Sequence, residues 1–511
     1  LGIQLILINA YAQRSLPAAH TFTVELNYVR TWDVVKPVNN PNDLTVSTPI
    51  TTAKMTTQYL DGLGRPFQTV IKQGSLITGS TTGAVDMTDM NLYDEFGREV
   101  YKYLPAPAQS TGITTIINDG LFKKDPFQQQ QAFYNAHLYG QVGETPGGNT
   151  NWAYGKTSFE ASPLNRPMES FAPGVSWIGS ENAGNKSVKT GYWFNTLADG
   201  VRKWTVEDAV ATGDLGTYKT TAVYPAGQLY KNITEDEHGK QVIEFKDKTG
   251  LVILKKVQLT AANDNGAGLD HNGWLCTYYI YDDLQRLRAV IQPEGVKVLY
   301  TASWATVALN ATILAEQCFR YEYDYRSRMI IKKVPGAGAV YMVYDKKNRL
   351  IMSQDANMRS GAVRGLITKY DVLNRPIETG LWHNGTNFTT HLNAAAEKAE
   401  TYPETDTGYE MLTQTGYDNY ANIPSGMSSD YIAGGHGDFI EASDTDYPYA
   451  QAVQKSAATK GLVTWSRTKV LGSTNQYLSA VIIYDDKGRA IQSHSQNISG
   501  GVDIVTTQYS W

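Results

Sequence analysis

A chain of 511 residues is too long for one ordinary hydrophobic core, so its length predicts roughly two to four domains or one large repeat assembly. The net charge of −5 excludes an electrostatic case for binding nucleic acid or an anionic membrane surface. Two cysteines, Cys276 and Cys318, exclude a disulfide framework, and no CxxC or Cys/His cluster indicates zinc. We expect two buried free thiols, with one bridge between them as the open alternative.

The N-terminal residues are typical of the end of a secretory signal peptide. An apolar run from Ile3 to Ile8 is followed by Ala10-Tyr11-Ala12, which fits the small-residue pattern of a cleavage site. The run is too short to span a bilayer. Residues 1–12 are therefore predicted to be an export-signal remnant, with a short apolar strand as the alternative. The protein is expected to be secreted or on the cell surface, without a transmembrane segment.

A motif of the form Tyr-Asp-x-x-(Gly/Asn/other)-Arg recurs seven times along the chain, the first time with one extra residue. Such self-similarity is the sequence signature of a repeat architecture. The copies comprise Tyr59, Asp61, Gly64 and Arg65; Tyr93, Asp94, Gly97 and Arg98; Tyr281, Asp282 and Arg286; Tyr323, Asp324 and Arg328; Tyr344, Asp345, Asn348 and Arg349; Tyr370, Asp371, Asn374 and Arg375; and Tyr484, Asp485, Gly488 and Arg489.

Each copy predicts the corner of a β-hairpin. The tyrosine ends an alternating strand, and the aspartate opens the turn by accepting hydrogen bonds from backbone N–H groups that follow it. Gly or Asn supplies the positive φ that closes the turn. The arginine begins the returning strand, where it can pair with the aspartate or lie over the tyrosine ring. Where Gln285 and Ser327 replace Gly or Asn, we expect a looser turn.

The stretches between the motif copies predict further hairpins, loops and short helices. Residues 125–140 predict a helix with Asp125 as N-cap and Gly140 as its stop, 293–318 predict one helix, and 391–400 another. Residues 237–240 and 248–250 read as degenerate corners, and a further degenerate copy lies at 417–422. Loops are predicted at residues 262–273 and over most of 401–475. The loop at 262–273 lacks the carboxylate spacing of a calcium-binding loop.

The sequence offers little catalytic chemistry. It contains no GxSxG, P-loop, HExxH or dinucleotide fingerprint. His436, Asp438, Glu441, Asp444 and Asp446 could suggest a metal or acid/base site, but a solvated acidic loop is the simpler interpretation. We therefore predict no catalytic residue, no metal and no cofactor. The abundant Trp and Tyr residues recur at strand positions, which favours sheet packing over carbohydrate stacking.

The motif series resembles the Rhs/YD-repeat family, specifically the long Rhs-type proteins of Bacteroidetes. The resemblance is strongest over 274–380, which include CFRYEYD (318–324), KKVPGAGAVYMVYD (332–345) and TKYDVLNRPIETG (368–380). Residues 28–74, with YLDGLGRPFQTVIKQG, resemble the leader region that those proteins carry before their repeats. The resemblance implies an all-β fold with a few short helices, in which repeated β-hairpins form a spiralling YD-repeat sheet that closes as a shell. Stacking of hairpins that cannot bury a face alone favours the same arrangement.

In that family the shell encloses a C-terminal effector, often a toxin used in competition between bacteria. The predicted parts are a signal remnant (1–12), a leader with the first two hairpins (20–110), an intermediate β region (111–275) and a shell segment (276–511). The segment 501–511 reads as an unpartnered strand, so we expect a fragment of a longer polymorphic-toxin-like protein.

Three functions follow as hypotheses. The first is a non-catalytic, encapsulating scaffold whose partners are the remainder of its own chain, namely further shell and the effector. The second is a surface adhesin or carbohydrate-binding protein whose partners are cell-surface glycans. The third is a secreted enzyme that uses the acidic loop, for example in glycoside hydrolysis.

Overall fold

A computed structural model provides the coordinates of the chain. It describes residues 15–21, 26–76, 83–138, 141, 152–180, 186–209, 213–259, 268–304, 309–397, 402–405, 407–434, 440–444, 447 and 449–510. The predicted export signal at 1–12 lies outside these residues.

Most of the regular structure consists of β-strands. The first fourteen strands are β1 (Asn27–Val34), β2 (Ala53–Leu60), β3 (Pro66–Leu76), β4 (Ala84–Leu92), β5 (Tyr101–Tyr103), β6 (Ala106–Pro107), β7 (Tyr154–Phe159), β8 (Pro167–Phe171), β9 (Val188–Phe194), β10 (Arg202–Glu207), β11 (Thr217–Val223), β12 (Tyr230–Glu235), β13 (Gln241–Lys246) and β14 (Val252–Gln258). The others are β15 (Trp274–Tyr281), β16 (Leu287–Ile291), β17 (Cys318–Tyr323), β18 (Met329–Lys333), β19 (Val340–Tyr344), β20 (Leu350–Gln354), β21 (Arg364–Tyr370), β22 (Pro376–His383), β23 (Tyr409–Tyr417), β24 (Val463–Lys469), β25 (Tyr477–Tyr484), β26 (Ala490–Gln496) and β27 (Val502–Thr506).

The chain divides into two compact units. The first comprises Leu1–Gly200 and Pro225–Leu275, and the second comprises Val201–Tyr224 and Cys276–Trp511. In the first unit, β1 to β4 form an antiparallel meander, and a second series runs β5–β7–β8–β9–β12–β13–β14. In the second unit, β15 to β27 pair antiparallel in chain order, and β10 pairs with β11. The all-β fold class built from repeated hairpins is confirmed.

Alternating side chains explain why these segments form strands. In β15 (WLCTYYIY) every second residue is buried, which is the period of a pleated sheet with one face in the core. The first unit packs a core that includes Met90, Phe127 and Phe171. The second packs a core that includes Ile331 and Val343, and each such buried side chain contributes roughly 1.5–3 kcal/mol.

Five short α-helices lie among the described residues: α1 (Pro126–His137), α2 (Pro293–Thr301), α3 (Ala311–Glu316), α4 (Ala356–Arg359) and α5 (Phe388–Glu397). The helix predicted at 125–140 is α1, with Pro126 in its first turn, whereas Gly140 lies outside the described residues. Asp125 holds the N-cap position without capping, because its carboxylate accepts from Gln129 Nε2 at 2.8 Å instead.

The prediction of one helix within 293–318 is wrong, because two form. Ser303 and Trp304 have positive φ angles of 53° and 55°, which ends α2. Asn310 then begins α3 by accepting a hydrogen bond from the backbone N–H of Ile313 at 2.9 Å. The helix predicted at 391–400 is α5, which starts three residues earlier, and its Phe388 and Ala395 join the core of the second unit.

Neither Cys276 nor Cys318 forms a disulfide bond, and both are buried, as expected. Burial raises the pKa of the Cys318 thiol to about 12, so it is protonated and unreactive at neutral pH. Across the described ranges no helix is long and apolar enough to cross a membrane.

Candidate functional site

The seven predicted corners share one set of hydrogen bonds. In each, Oδ1 of the aspartate accepts from the backbone N–H groups two and four residues later, and Oδ2 accepts from Nε of the corner arginine. At Asp345 these distances are 2.9 Å to Lys347 N, 2.9 Å to Arg349 N and 2.6 Å to Arg349 Nε. Charge-assisted bonds of this kind are stronger than neutral ones, so the carboxylate fastens its own turn.

The residue before each corner arginine has a positive φ. The values are 77° at Gly64, 79° at Gly97, 60° at Gln285, 58° at Ser327, 63° at Asn348, 64° at Asn374 and 74° at Gly488. The expectation of a looser turn at Gln285 and Ser327 is wrong: Gln285 N lies 2.8 Å from Asp282 O, and Ser327 N lies 2.9 Å from Asp324 O. The surrounding hydrogen bonds hold these residues in a conformation that costs an L-residue roughly 1–2 kcal/mol.

Hydrogen bonds lower the pKa of several corner carboxylates, as Asp61 and Asp371 show. The backbone N–H of Arg65 is the largest cause that lowers the pKa of Asp61. Burial raises the pKa of Asp371, but backbone and side-chain hydrogen bonds from Arg375 outweigh it and leave the pKa below its ordinary value. An ionised carboxylate that already accepts three hydrogen bonds is poorly suited to act as a general acid.

Most corner arginines also reach the next hairpin along the sheet. Arg349 lies over the ring of Tyr370 at 5.0 Å from the centroid, and its Nη1 donates to Asn374 Oδ1 at 3.1 Å. The Tyr370 hydroxyl donates back to the carbonyl of Leu350, the residue after Arg349, at 2.9 Å. The aromatic partner of the arginine therefore belongs to the following hairpin.

The same contact of arginine with the next tyrosine recurs, and we call the set the Arg–Tyr ladder. Its described pairs are Arg65 with Tyr93, Arg286 with Tyr323, Arg328 with Tyr344, Arg349 with Tyr370, Arg375 with Tyr417 and Arg489 with Tyr509. Tyr93, Tyr323, Tyr417, Tyr484 and Tyr509 also donate to a carbonyl of the preceding hairpin.

One predicted tyrosine differs from this pattern. Tyr59 stands two residues before Asp61, so Leu60 takes the position that tyrosine holds elsewhere. The Tyr59 ring packs against Phe122 at 5.1 Å. Tyr281 ends β15 and pairs with Leu287 in the hairpin register.

A further corner at residues 160–166 was not predicted. Glu160 replaces the aspartate, and its Oε2 lies 2.7 Å from Arg166 Nη2. Hydrogen bonds from the Arg166 side chain lower the pKa of Glu160 to about 2. Arg166 lies 4.3 Å from the centroid of the Tyr192 ring, as in the ladder. The signal was the tetrapeptide LNRP, which occurs at 164–167 and again at 373–376.

The degenerate corners keep the turn but lose the arginine. Asp236 accepts from the backbone N–H groups of His238 and Lys240, and Asp247 accepts from those of Thr249 and Leu251. An aspartate alone therefore suffices to build the turn, and the arginine adds the link to the next hairpin.

The acidic loop contains no metal site in the part of the chain that the structure describes. His436, Asp438 and Asp446 lie outside that part, whereas Asp444 Oδ1 accepts from the backbone N–H of Tyr447 at 2.8 Å. No group of three His, Cys, Asp or Glu side chains gathers among the described residues.

Comparisons with known proteins give a partial match and a distant likeness. Residues 30–193 match the family model described as "Domain of unknown function (DUF6443)". A search of curated proteins gave no match. Similar solved structures include a TcdB2-TccC3-TEV crystal structure, with 12% identity, a TM-score of 0.42 and coverage of 90% of this chain and 19% of that one. A Tc holotoxin pore of Photorhabdus luminescens has 13% identity, a TM-score of 0.36 and coverage of 88% and 21%.

The chain thus spans about a fifth of the length of the solved chains it matches.

Proposed function

We propose that this chain is a non-catalytic, exported scaffold of Rhs type, in which the YD-repeat sheet is part of a shell that houses or presents a C-terminal effector. The supporting observation is that all seven corners commit their carboxylates and guanidinium groups to fastening the turns, and that most of the corner arginines also join one hairpin to the next. A side chain held in this way stiffens the sheet and is poorly suited to chemistry.

The scaffold is tested on the complete polypeptide encoded by the source reading frame. We expect an effector enclosed by the shell to resist added protease. Arg349→Ala and Arg375→Ala together remove two contacts of the Arg–Tyr ladder, and we expect them to make the effector accessible to the protease. Arg364→Ala serves as the control because Arg364 is exposed and lies within β21 rather than at a corner. Cleavage of the C-terminal segment at equal rates in the unmodified and ladder-opened proteins would contradict enclosure.

Export is tested separately. N-terminal sequencing of protein recovered from the medium or the cell surface should begin after Ala12. Protein found entirely inside cells, with residues 1–12 retained, would overturn the export proposal while leaving the scaffold in place.

A second candidate is a carbohydrate-binding adhesin, since large apolar side chains are exposed at hairpin tips: Phe96, Leu284, Tyr325, Val372 and Leu373 are each at least 64% exposed. Glycan-array binding that disappears in Tyr325→Ala, together with a reading frame that stops after Trp511, would favour the adhesin over the scaffold.

A further inference from the structure

The Arg–Tyr ladder is interrupted in the second unit between β23 and β24. The backbone N–H of Asp418 donates to the carbonyl of Leu462 at 3.0 Å, so Leu462 stands where the seven motif corners have arginine. Residues 419–461 are inserted in this corner, and the start of the inserted segment (419 and 421–425) lines a cavity together with residues of β23 and β24. The corner between β23 and β24 therefore lacks the arginine contacts of the other corners and borders a cavity instead.

The cavity has a volume of about 620 Å³, which is within the usual range for small-molecule sites. Polar groups outnumber apolar side chains in its lining, which includes Thr415, Tyr417, Asn422, Ser425 and Arg467. An amide- and hydroxyl-rich wall suits a ligand with many hydroxyl groups better than it suits an apolar side chain.

Several contacts fix the cavity wall. Trp465 Nε1 donates to the carbonyl of Ala421 at 2.9 Å, which ties the inserted segment to β24. Thr464 Oγ1 donates to the carbonyl of Gly416 at 3.2 Å. A Cβ atom at Gly416 would lie 2.1 Å from Trp465 Nε1, so only glycine lets the indole pack this closely. These contacts preform the cavity, which lowers the entropy cost of binding.

Arg467 is the unusual group in this lining. Its Nε is shielded from solvent and has no hydrogen-bond partner within the described ranges. Its Nη2 reaches Met411 Sδ at 3.6 Å, and its guanidinium lies 5.2 Å from the centroid of the Tyr477 ring. A thioether sulfur is a weak acceptor, and sheltering a cation without an anionic partner is costly.

Arg375, which also lines the cavity, differs from Arg467 because carboxylates neutralise its charge. Its guanidinium donates to Asp418 Oδ1 at 2.9 Å, and its Nε donates to Asp371 Oδ2 at 2.7 Å. No described carboxylate forms an ion pair with Arg467. The cavity therefore carries one cation that is not neutralised by the described protein groups, and a ligand carboxylate would supply the anion that Arg467 lacks.

We infer that this cavity binds a sugar acid of the uronic-acid type. The ligand carboxylate pairs with the Arg467 guanidinium, and the ring hydroxyls meet the hydroxyl and amide groups of Thr415, Asn422 and Ser425. Asp371 and Arg375 of a hairpin corner also line the cavity, but the proposed ligand contacts use neither of them, so the proposal does not depend on the scaffold function.

The test is calorimetric titration of the full chain with glucuronic acid, with glucose as the matched sugar that lacks a carboxylate. We expect glucuronic acid to bind and Arg467→Gln to weaken it by about tenfold or more. Arg467→Lys should retain part of the affinity, and Arg326→Gln, which alters an exposed turn arginine, should retain all of it. Glucose should bind weakly to every variant.

The unfolding midpoint of each variant shows whether the comparison is made between folded proteins, and Arg467→Lys keeps the test valid if Arg467→Gln does not fold. Two results would overturn the proposal: no heat of binding for glucuronic acid at millimolar concentration, or equal affinity in the unmodified, Gln and Lys proteins. Tighter binding of N-acetylglutamate than of glucuronic acid would also overturn it, since the site would then select an acidic peptide group.

Discussion

Asp485 and Asp486 are consecutive carboxylates in one turn with opposite surroundings. Asp485 is buried and accepts from Lys487 N, Arg489 N and Arg489 Nε, whereas Asp486 is exposed. We expect Asp485→Asn to lower the free energy of unfolding by about 1–3 kcal/mol, because the charge-assisted bond to arginine is lost. Asp486→Asn should change it by less than about 0.5 kcal/mol. Urea denaturation measures both, and equal effects would show that the corner carboxylate has no special role.

Ser327 tests the backbone contribution of the same kind of corner. Its φ of 58° is unfavourable for an L-residue but not for glycine. We expect Ser327→Gly to raise the free energy of unfolding by about 0.5–1 kcal/mol. Asn348→Gly is the control, because asparagine already tolerates its φ of 63°. A loss of stability in Ser327→Gly would mean that the serine hydroxyl, rather than backbone strain, governs the turn.

At the scale of the hairpin, the tyrosine hydroxyl links neighbouring strands. Tyr370 Oη donates to Leu350 O at 2.9 Å, whereas Tyr344 Oη meets only the weak acceptor Met342 Sδ at 3.8 Å among the described contacts. Tyr370→Phe should therefore cost about 0.5–1.5 kcal/mol, and Tyr344→Phe should be nearly neutral. Backbone amide hydrogen exchange in β20 should become faster in Tyr370→Phe but not in Tyr344→Phe. Equal exchange rates in the two variants would show that the Tyr370 hydroxyl does not link the strands.

The sequence predicted the hairpin corners well because their chemistry is local. Three residues make each corner: the aspartate, the residue with positive φ and the arginine. They lie within five consecutive positions, so their hydrogen bonds follow from short-range geometry. The Arg–Tyr ladder was not predicted in this form, since the tyrosine that contacts Arg375 is 42 positions away at Tyr417. Strand pairing decides that contact, and the length of the intervening loop conceals it.

The same distinction explains the other differences between sequence and structure. The corner at Glu160 was missed because glutamate with two additional residues hides the motif, although LNRP at 164–167 marks it. Arg467 stands out because no carboxylate among the described residues forms an ion pair with it. A sequence shows which residues are present, but not which partner a side chain lacks.

For the whole molecule, the repeated corners predict loss of stability in acid. Burial raises the pKa of Asp94, Asp282, Asp371 and Asp485, but hydrogen bonds from the corner arginines outweigh it, so each pKa lies below the ordinary 3.8. The unfolded chain then binds more protons than the folded one as the pH falls below its own aspartate pKa. The stability that these aspartates contribute is fully present above their pKa in the unfolded chain. It is lost as the pH falls through their lower pKa in the folded chain.

Because these corners belong to both units, we expect the urea midpoint of the full chain to stay level near neutral pH and to fall between about pH 5 and about pH 2. Asp485→Asn removes one of the titrating groups and should make that fall shallower, whereas Asp486→Asn should leave its slope unchanged. High salt separates this effect from general charge repulsion, since screening relieves repulsion among exposed cations in acid but does not restore protonated corners. A midpoint that stays constant to about pH 3 would mean that the corner aspartates have the same pKa in the folded and the unfolded chain.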